Sequence, residues 1–179
     1  INYAYLFADI NRVNKWREIL SNESKPLIGI HWQGNPNVER TRLKGRSLNL
    51  ESFSIIAKEN DIKFISLQKG FGSEQMETCS FKNTFVDCQS KINATWDFLE
   101  TAAIISNCSL IITSDSCIAH LSGALGVKTW LLLNNKPDWR WGMEGEEIFW
   151  YSSMKLFRQK IDFDWQELMG KVSKELKNE

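Results

Sequence analysis

The chain has 179 residues, enough for one domain with a substantial core and short of two typical ones. Hydrophobic residues make up 42% and charged residues 25%, and 22 basic side chains balance 22 acidic ones. That balance argues against a protein built to grip nucleic acid or an acidic membrane surface, and no apolar run approaches the roughly 18 residues of a membrane-spanning helix.

No secretory signal is visible, and a chain opening on Ile1 reads as a fragment or trimmed product. Cys79, Cys88, Cys108 and Cys117 show no CxxC spacing, and His31 and His120 lie far apart, so no metal site is expected. Cys108 and Cys117 flank an apolar run and read as small apolar residues of a reducing, cytoplasmic compartment. Of the eight tryptophans, three fall in loops or at strand ends, where a flat ring can face a ligand.

Residues 1–9 have no clear period. Asn11 to Leu20 places Val13, Trp16, Ile19 and Leu20 on one helical face. Polar residues 22–25 and Pro26 then mark a boundary, so 1–25 reads as a connector and 26–179 as the domain. Leu27 to Trp32 is the first strand. Gln33 to Ser47 is a polar loop carrying Gly34, Asn35 and four basic residues, Arg40, Arg42, Lys44 and Arg46. Asn49 caps a helix over Leu50 to Glu59, with Phe53, Ile56 and Ala57 on its inner face. Ile62 to Leu67 is the second strand, with Gln68 to Gly72 as its exit loop.

Residues 73–83 read as irregular and Thr84 to Val86 as a short strand. Asn93 or Thr95 then caps a helix to Ser106, with Trp96, Leu99, Ala103 and Ile104 inward. Ser109 to Thr113 (strand), Ser114-Asp115-Ser116 (turn), Cys117 to Leu125 (helix) and Lys128 to Leu133 (strand) form a βαβ unit. Gly126 takes the place of a helix-terminating glycine. Asn134 to Gly145 is a loop, Lys155 to Arg158 a last strand, and Asp164 caps a helix with Trp165, Leu168, Met169, Val172 and Leu176 at helical spacing. Alternating strands and helices, with several strands apolar throughout, predict an α/β fold: a parallel sheet covered by helices on both faces.

In such sheets ligands bind at the carboxyl ends of the strands. The loops predicted there hold much of the chain's glycine, amide and charged punctuation, whereas the opposite connections, such as Asn60-Asp61, are plainer. At Ser116 two readings stand. The N–H groups of Ser116, Cys117 and Ile118 receive a diphosphate at the positive end of a helix dipole, or Asp115 or Ser116 is an ordinary N-cap. Asp115 would repel phosphate and suits holding the loop or a ribose hydroxyl. His120, one turn on, faces the same anion or is a structural histidine. Arg46 is a natural partner for phosphate oxygens, whereas Arg40, Arg42 and Lys44 read as a solvated basic loop. Gln68 and Lys69 either read a base and offset negative charge or form a plain turn. Trp139 and Arg140, within Pro-Asp-Trp-Arg-Trp, either pin a loop by cation–π packing or flank a planar ligand. Asp97 reads as helix-terminal electrostatics. No Ser-His-Asp order, P-loop or complete G-x-G-x-x-G is present.

Together IGIHWQGNP, RSLNL, FISLQKG, LIITSDSCIAHLSGALG, PDWRW and SMKLFRQ resemble the C-terminal half of bacterial glycosyltransferases often found behind tetratricopeptide repeats, relatives of the family 9 heptosyltransferases. The resemblance covers roughly residues 26–176. It implies a Rossmann-like domain, one half of a two-domain GT-B fold, that binds a nucleoside diphosphate sugar. It implies Ser116, Cys117 and His120 at the diphosphate, Trp32, Gly34 and Asn35 in the first loop, and Gln68 and Lys69 beside the base. It implies transfer without metal or resident cofactor. The general base and acceptor site would belong to an N-terminal domain, so the chain alone binds donor without transferring sugar. Departures are Ser116 where the family commonly has Thr, Lys128 where Pro is frequent, and Asn134-Asn135-Lys136 where a proline is usual. The alternatives are a non-catalytic nucleotide-binding or interaction module and, last, a relative of sugar-nucleotide epimerases, for which no carboxylate pair is assignable.

Overall fold

The computed structural model describes residues 3–41, 44–162 and 164–178; Arg42 lies outside them. Five strands form one parallel sheet: β1 (Leu27–His31), β2 (Lys63–Ser66), β3 (Leu110–Ser114), β4 (Thr129–Leu133) and β5 (Met154–Arg158), in the order β2-β1-β3-β4-β5. Parallel neighbours require crossover connections, and helices supply them. The helices are α1 (Ile10–Ile19), α2 (Pro36–Glu39), α3 (Ser54–Glu59), α4 (Gln89–Asn93), α5 (Phe98–Ile105), α6 (Cys117–Ala124) and α7 (Trp165–Lys177).

Strand alternation sorts the apolar residues onto two faces. Ile28, Ile30, Phe64, Leu110, Ile112, Trp130 and Leu132 pack with Phe53 and Ile56 and, from α7, Leu168, Met169 and Val172. On the other face Ile65 and Ile111 pack with α1 and α5, and Leu131 and Leu133 with α6. A sheet buried on both faces explains why β3 and β4 are apolar nearly throughout. Gly29 belongs to the α5 side, where a Cβ would overlap the Ile111 side chain, so a central strand position stays bare.

Several expectations are corrected. Residues 84–86 form no strand; Phe85 makes a single parallel bridge to Phe64, and the Val86 N–H donates to the Phe64 carbonyl at 2.9 Å. The helix expected to be capped at Asn93 or Thr95 and to run to Ser106 starts later, as α5; α4 ends at Asn93, and residues 94–97 separate the two. Asp97 caps α5 by accepting the Glu100 N–H at 2.7 Å, in keeping with its helix-terminal reading. That break turns Trp96 and Leu99 outward, 74% and 60% exposed, and the inward residues are Ala102 to Ile105. The segment expected to lead from Leu50 as one helix starts as a 3₁₀ turn, Leu50–Phe53, capped by Asn49 as expected. Within the basic loop a short helix, α2, was not anticipated. Pro36 at its first position and Asn35 as its cap were the available signs.

The segment expected to be a connector contains α1, which packs on α5. Glu100 is nearly buried there and accepts hydrogen bonds from Arg12 and from the Trp16 indole. Burial pushes the Glu100 carboxyl up, but the Trp16 hydrogen bond, Lys15 and Arg12 outweigh it and hold it below the usual glutamate range.

Both outer strands carry a partner beyond the sheet. The 85–86 segment lies along β2, and the Leu156 N–H of β5 donates to the Glu146 carbonyl at 2.7 Å beside an antiparallel Glu147–Lys155 bridge. Arg158 secures that second cover by donating to the carbonyls of Trp141, Gly142 and Gly145 at 2.6, 3.0 and 2.9 Å.

Candidate functional site

The chain order of the strands reverses between β1 and β3, and the loops leaving their carboxyl ends diverge there. Such a switch point opens a crevice. Two concavities occupy it. One, of about 300 Å³, is bordered by Gly34, Asn35, Arg46 and Ser116. The other, of about 210 Å³, is more apolar and is bordered by Leu67, Trp96, Phe98 and Ile118. His31, Lys69 and Cys117 border both. A larger concavity of about 1050 Å³ lies at the opposite ends of β4 and β5. There Lys155 is paired with Glu175 at 2.5 Å and Glu146 at 3.5 Å. Ligands of open parallel sheets bind at the carboxyl ends of the strands, so the switch-point crevice is the candidate site.

Arg46 ties the crevice together. Its Nη1 donates to the Asp115 carbonyl at 3.2 Å and its Nε pairs with Glu39 at 3.2 Å, so one guanidinium spans the β1 and β3 exits. Glu39 also accepts from Ser47 Oγ, which in turn accepts the Gly34 N–H at 2.9 Å. A Cβ on Gly34 would overlap the guanidinium, so glycine here lets Arg46 lie against the loop backbone. Asn35 accepts the Asn37 N–H at 2.9 Å, which shapes the near wall.

Ser116 is the α6 N-cap, its Oγ accepting the Ile118 N–H at 3.2 Å and lying 3.3 Å from Thr113 Oγ1. Ser116 therefore caps α6, and the Ile118 N–H is used by that cap. The first-turn N–H of Cys117 has no intrahelical acceptor by the geometry of any helix start, and Cys117 is exposed at the crevice. Asp115 is 4% exposed and offers its backbone carbonyl to Arg46.

Gln68 is buried, and its amide is saturated. Oε1 accepts the Trp32 and Gln33 N–H groups at 3.2 and 3.0 Å, while Nε2 donates to the Gln33 and Phe71 carbonyls at 2.8 and 2.7 Å. It braces two exit loops and has no valence left to read a base. Lys69 donates to the Ile92 carbonyl, and burial lowers its ammonium pKa. The Trp32 ring lies in the core, 0% exposed, and borders neither concavity.

His120, Trp139 and Arg140 line neither concavity. His120 Nδ1 sits 2.9 Å from the Tyr151 hydroxyl, and its ring stacks on Trp141 at 5.0 Å. Burial, then the Arg140 charge, lower its pKa. Gly123 makes room for Tyr151, since a Cβ there would overlap the phenol ring. Arg140 pairs with Asp138 at 2.7 Å, and Trp139 projects outward, 79% exposed. Both border neither concavity. Among the described residues no group of three or more His, Cys, Asp and Glu is arranged to hold a metal ion, and no helix is long and apolar enough to cross a membrane.

His31 was not a sequence candidate. It ends β1 at the switch point, 7% exposed, with an unpartnered Nδ1. Burial, then the Arg46 charge, lower its pKa from 6.5 to about 3. The folded state thus refuses a proton that the unfolded chain accepts. Stability is expected to be unaffected by this group above pH 6.5 and to fall as pH drops from 6.5 toward 3. Urea titrations across that window are expected to show a shallower decline in His31→Phe than in the parent chain.

A doubly wound, Rossmann-like α/β sheet with its crevice at the switch point defines the class of this protein. Two solved structures share the fold. The E. coli ADP-heptose LPS heptosyltransferase II matches with a TM-score of 0.65 and 13% identity over 97% of this chain and 52% of that one. A glycosyl transferase family 9 structure from Veillonella parvula DSM 2008 matches with a TM-score of 0.62 and 15% identity over 96% and 45%. At these identities the likeness is one of fold, and the chain spans about half the length of either structure. No protein-family model and no curated protein matches the sequence.

Proposed function

We propose that the chain is the donor-binding half of a GT-B glycosyltransferase and holds the nucleoside diphosphate of an activated sugar in the switch-point crevice. The observation that carries this reading is the pairing of a polar lobe, where Arg46 meets the start of α6, with an apolar lobe at Trp96 and Phe98. A diphosphate suits the first by charge and by helix-terminal N–H groups. A base suits the second, stacked on an aromatic ring. Two structures that share the fold, a heptosyltransferase and a family 9 glycosyl transferase, support the choice of ligand. In this reading the acceptor site and general base belong to an N-terminal domain of a longer, bacterial, cytoplasmic protein of the tetratricopeptide-linked kind. Transfer then proceeds without a metal or resident cofactor, and the 179-residue chain binds donor without transferring sugar.

Thermal unfolding with ADP, GDP, UDP and CDP tests the reading. A diphosphate at 100 times its Kd adds about 2.7 kcal/mol, which for a domain of this size raises Tm by roughly 5–10 °C. One or more of the four is expected to do so. No shift with any of them would leave the crevice as a packing feature of a non-catalytic module.

A further inference from the structure

We propose that His31 is a specificity residue of this crevice, donating to or accepting from a ribose hydroxyl of the bound nucleoside diphosphate. The inference rests on the donor-binding reading and adds the group that distinguishes ribose from deoxyribose. Two observations and the chemistry of the ligand converge on it. His31 borders both lobes. In a nucleoside diphosphate the ribose is the unit between base and phosphates, so a ligand filling both lobes sets its sugar at the wall they share. Finally, Nδ1 is buried with no hydrogen-bond partner, although the residue is 93% removed from solvent. Buried imidazole nitrogens in folded proteins are nearly always paired, and a ligand hydroxyl supplies the missing partner.

The other polar groups at that wall are already committed or mismatched. The Lys69 ammonium is turned to the carboxyl end of α4, and the Cys117 thiol is a weak donor. A neutral imidazole offers one donor and one acceptor, as does a hydroxyl, so the two are complementary in either tautomer. Burial and Arg46 keep the ring neutral. The broad imidazole χ2 torsion lets the ring turn Nδ1 toward the ligand.

Calorimetric titration of the full chain with ADP, GDP, UDP and CDP identifies the tightest diphosphate. That ligand is then compared with its 2′-deoxy and 3′-deoxy counterparts. The parent chain is expected to prefer the ribonucleotide over at least one of these by about three- to tenfold, the worth of one hydrogen bond. His31→Phe is expected to bind all three alike. A preference that survives in His31→Phe, or is absent from the parent, overturns the inference while leaving donor binding intact. Failure of every diphosphate to bind the parent overturns donor binding itself. A readout independent of the Phe variant's folding uses the two histidines of the chain. In ¹⁵N-histidine-labelled protein the His31 signals are assigned by their loss in His31→Asn. Saturating nucleotide is expected to move them, and unmoved His31 signals at saturation refute the contact.

Discussion

Ser116→Asp is expected to lower nucleoside diphosphate affinity by about 100-fold while leaving the fold intact. Aspartate is as good an N-cap as serine, and its carboxylate can accept the Ile118 N–H that Ser116 Oγ accepts now. Helix α6 therefore keeps its start, while a second carboxylate at a position only 8% exposed costs stability on the order of 1–3 kcal/mol without unfolding the chain. The change is electrostatic. A carboxylate roughly 5 Å from one phosphoryl charge, at an effective dielectric constant of about 20, opposes it by about 3 kcal/mol. That corresponds to a loss of about 100-fold. The charge also stands beside Asp115, which is already almost fully buried. Calorimetry gives the affinity and urea unfolding the stability. Unchanged affinity in a stable Ser116→Asp chain would place the diphosphate elsewhere.

Phe64→Ala is expected to cost about 3–5 kcal/mol, the usual range for removing a buried phenyl ring. Phe64 is fully buried on β2 and meets three other rings, Phe53, Phe81 and Phe85, at centroid distances of 6.1, 5.8 and 6.0 Å. The first two contacts are edge-on, a geometry that adds to simple burial. Phe85, one of those rings, belongs to the segment covering β2, so loss of the phenyl also removes a contact that holds that segment. Against a typical total of about 5–15 kcal/mol, this is a large share. Phe71→Ala serves as the control: that ring is 57% exposed, and its loss is expected to change stability by less than about 0.5 kcal/mol. The two denaturation midpoints decide the matter, and similar values for both variants would contradict the packing described for β2.

The strands that cross the middle of the sheet were legible because burial on both faces makes them apolar without interruption, as in Leu110–Ile112 and Leu131–Leu133. Asp164, Asn49 and Gly126 announced helix ends correctly, since capping chemistry is local. Phe85 misled because an aromatic cluster, rather than a ladder, holds its segment to β2. Trp96 and Leu99 misled because helical spacing was extended through Thr95 to Asp97, where the chain breaks and starts again. At the crevice, Arg46 and Ser116 were visible from their positions after strands. The saturation of Gln68 was not, because its four partners come from Trp32, Gln33 and Phe71, and their proximity exists only after β1 and β2 pair. His31 escaped notice for a related reason. Within Leu27–Trp32 it sits at an ordinary strand position, and its unpaired nitrogen and place between two lobes are products of tertiary structure.

The short segments lying along β2 and β5 have a bearing on how copies of this chain meet one another. A parallel sheet with bare rims is a template for a neighbour's backbone, the route by which many α/β fragments gather into ordered clumps. Here both rims already hold peptide from the same molecule, clamped on one side by Phe85 and on the other by the Arg158 guanidinium. As long as those covers hold, neither rim offers its backbone to a second copy.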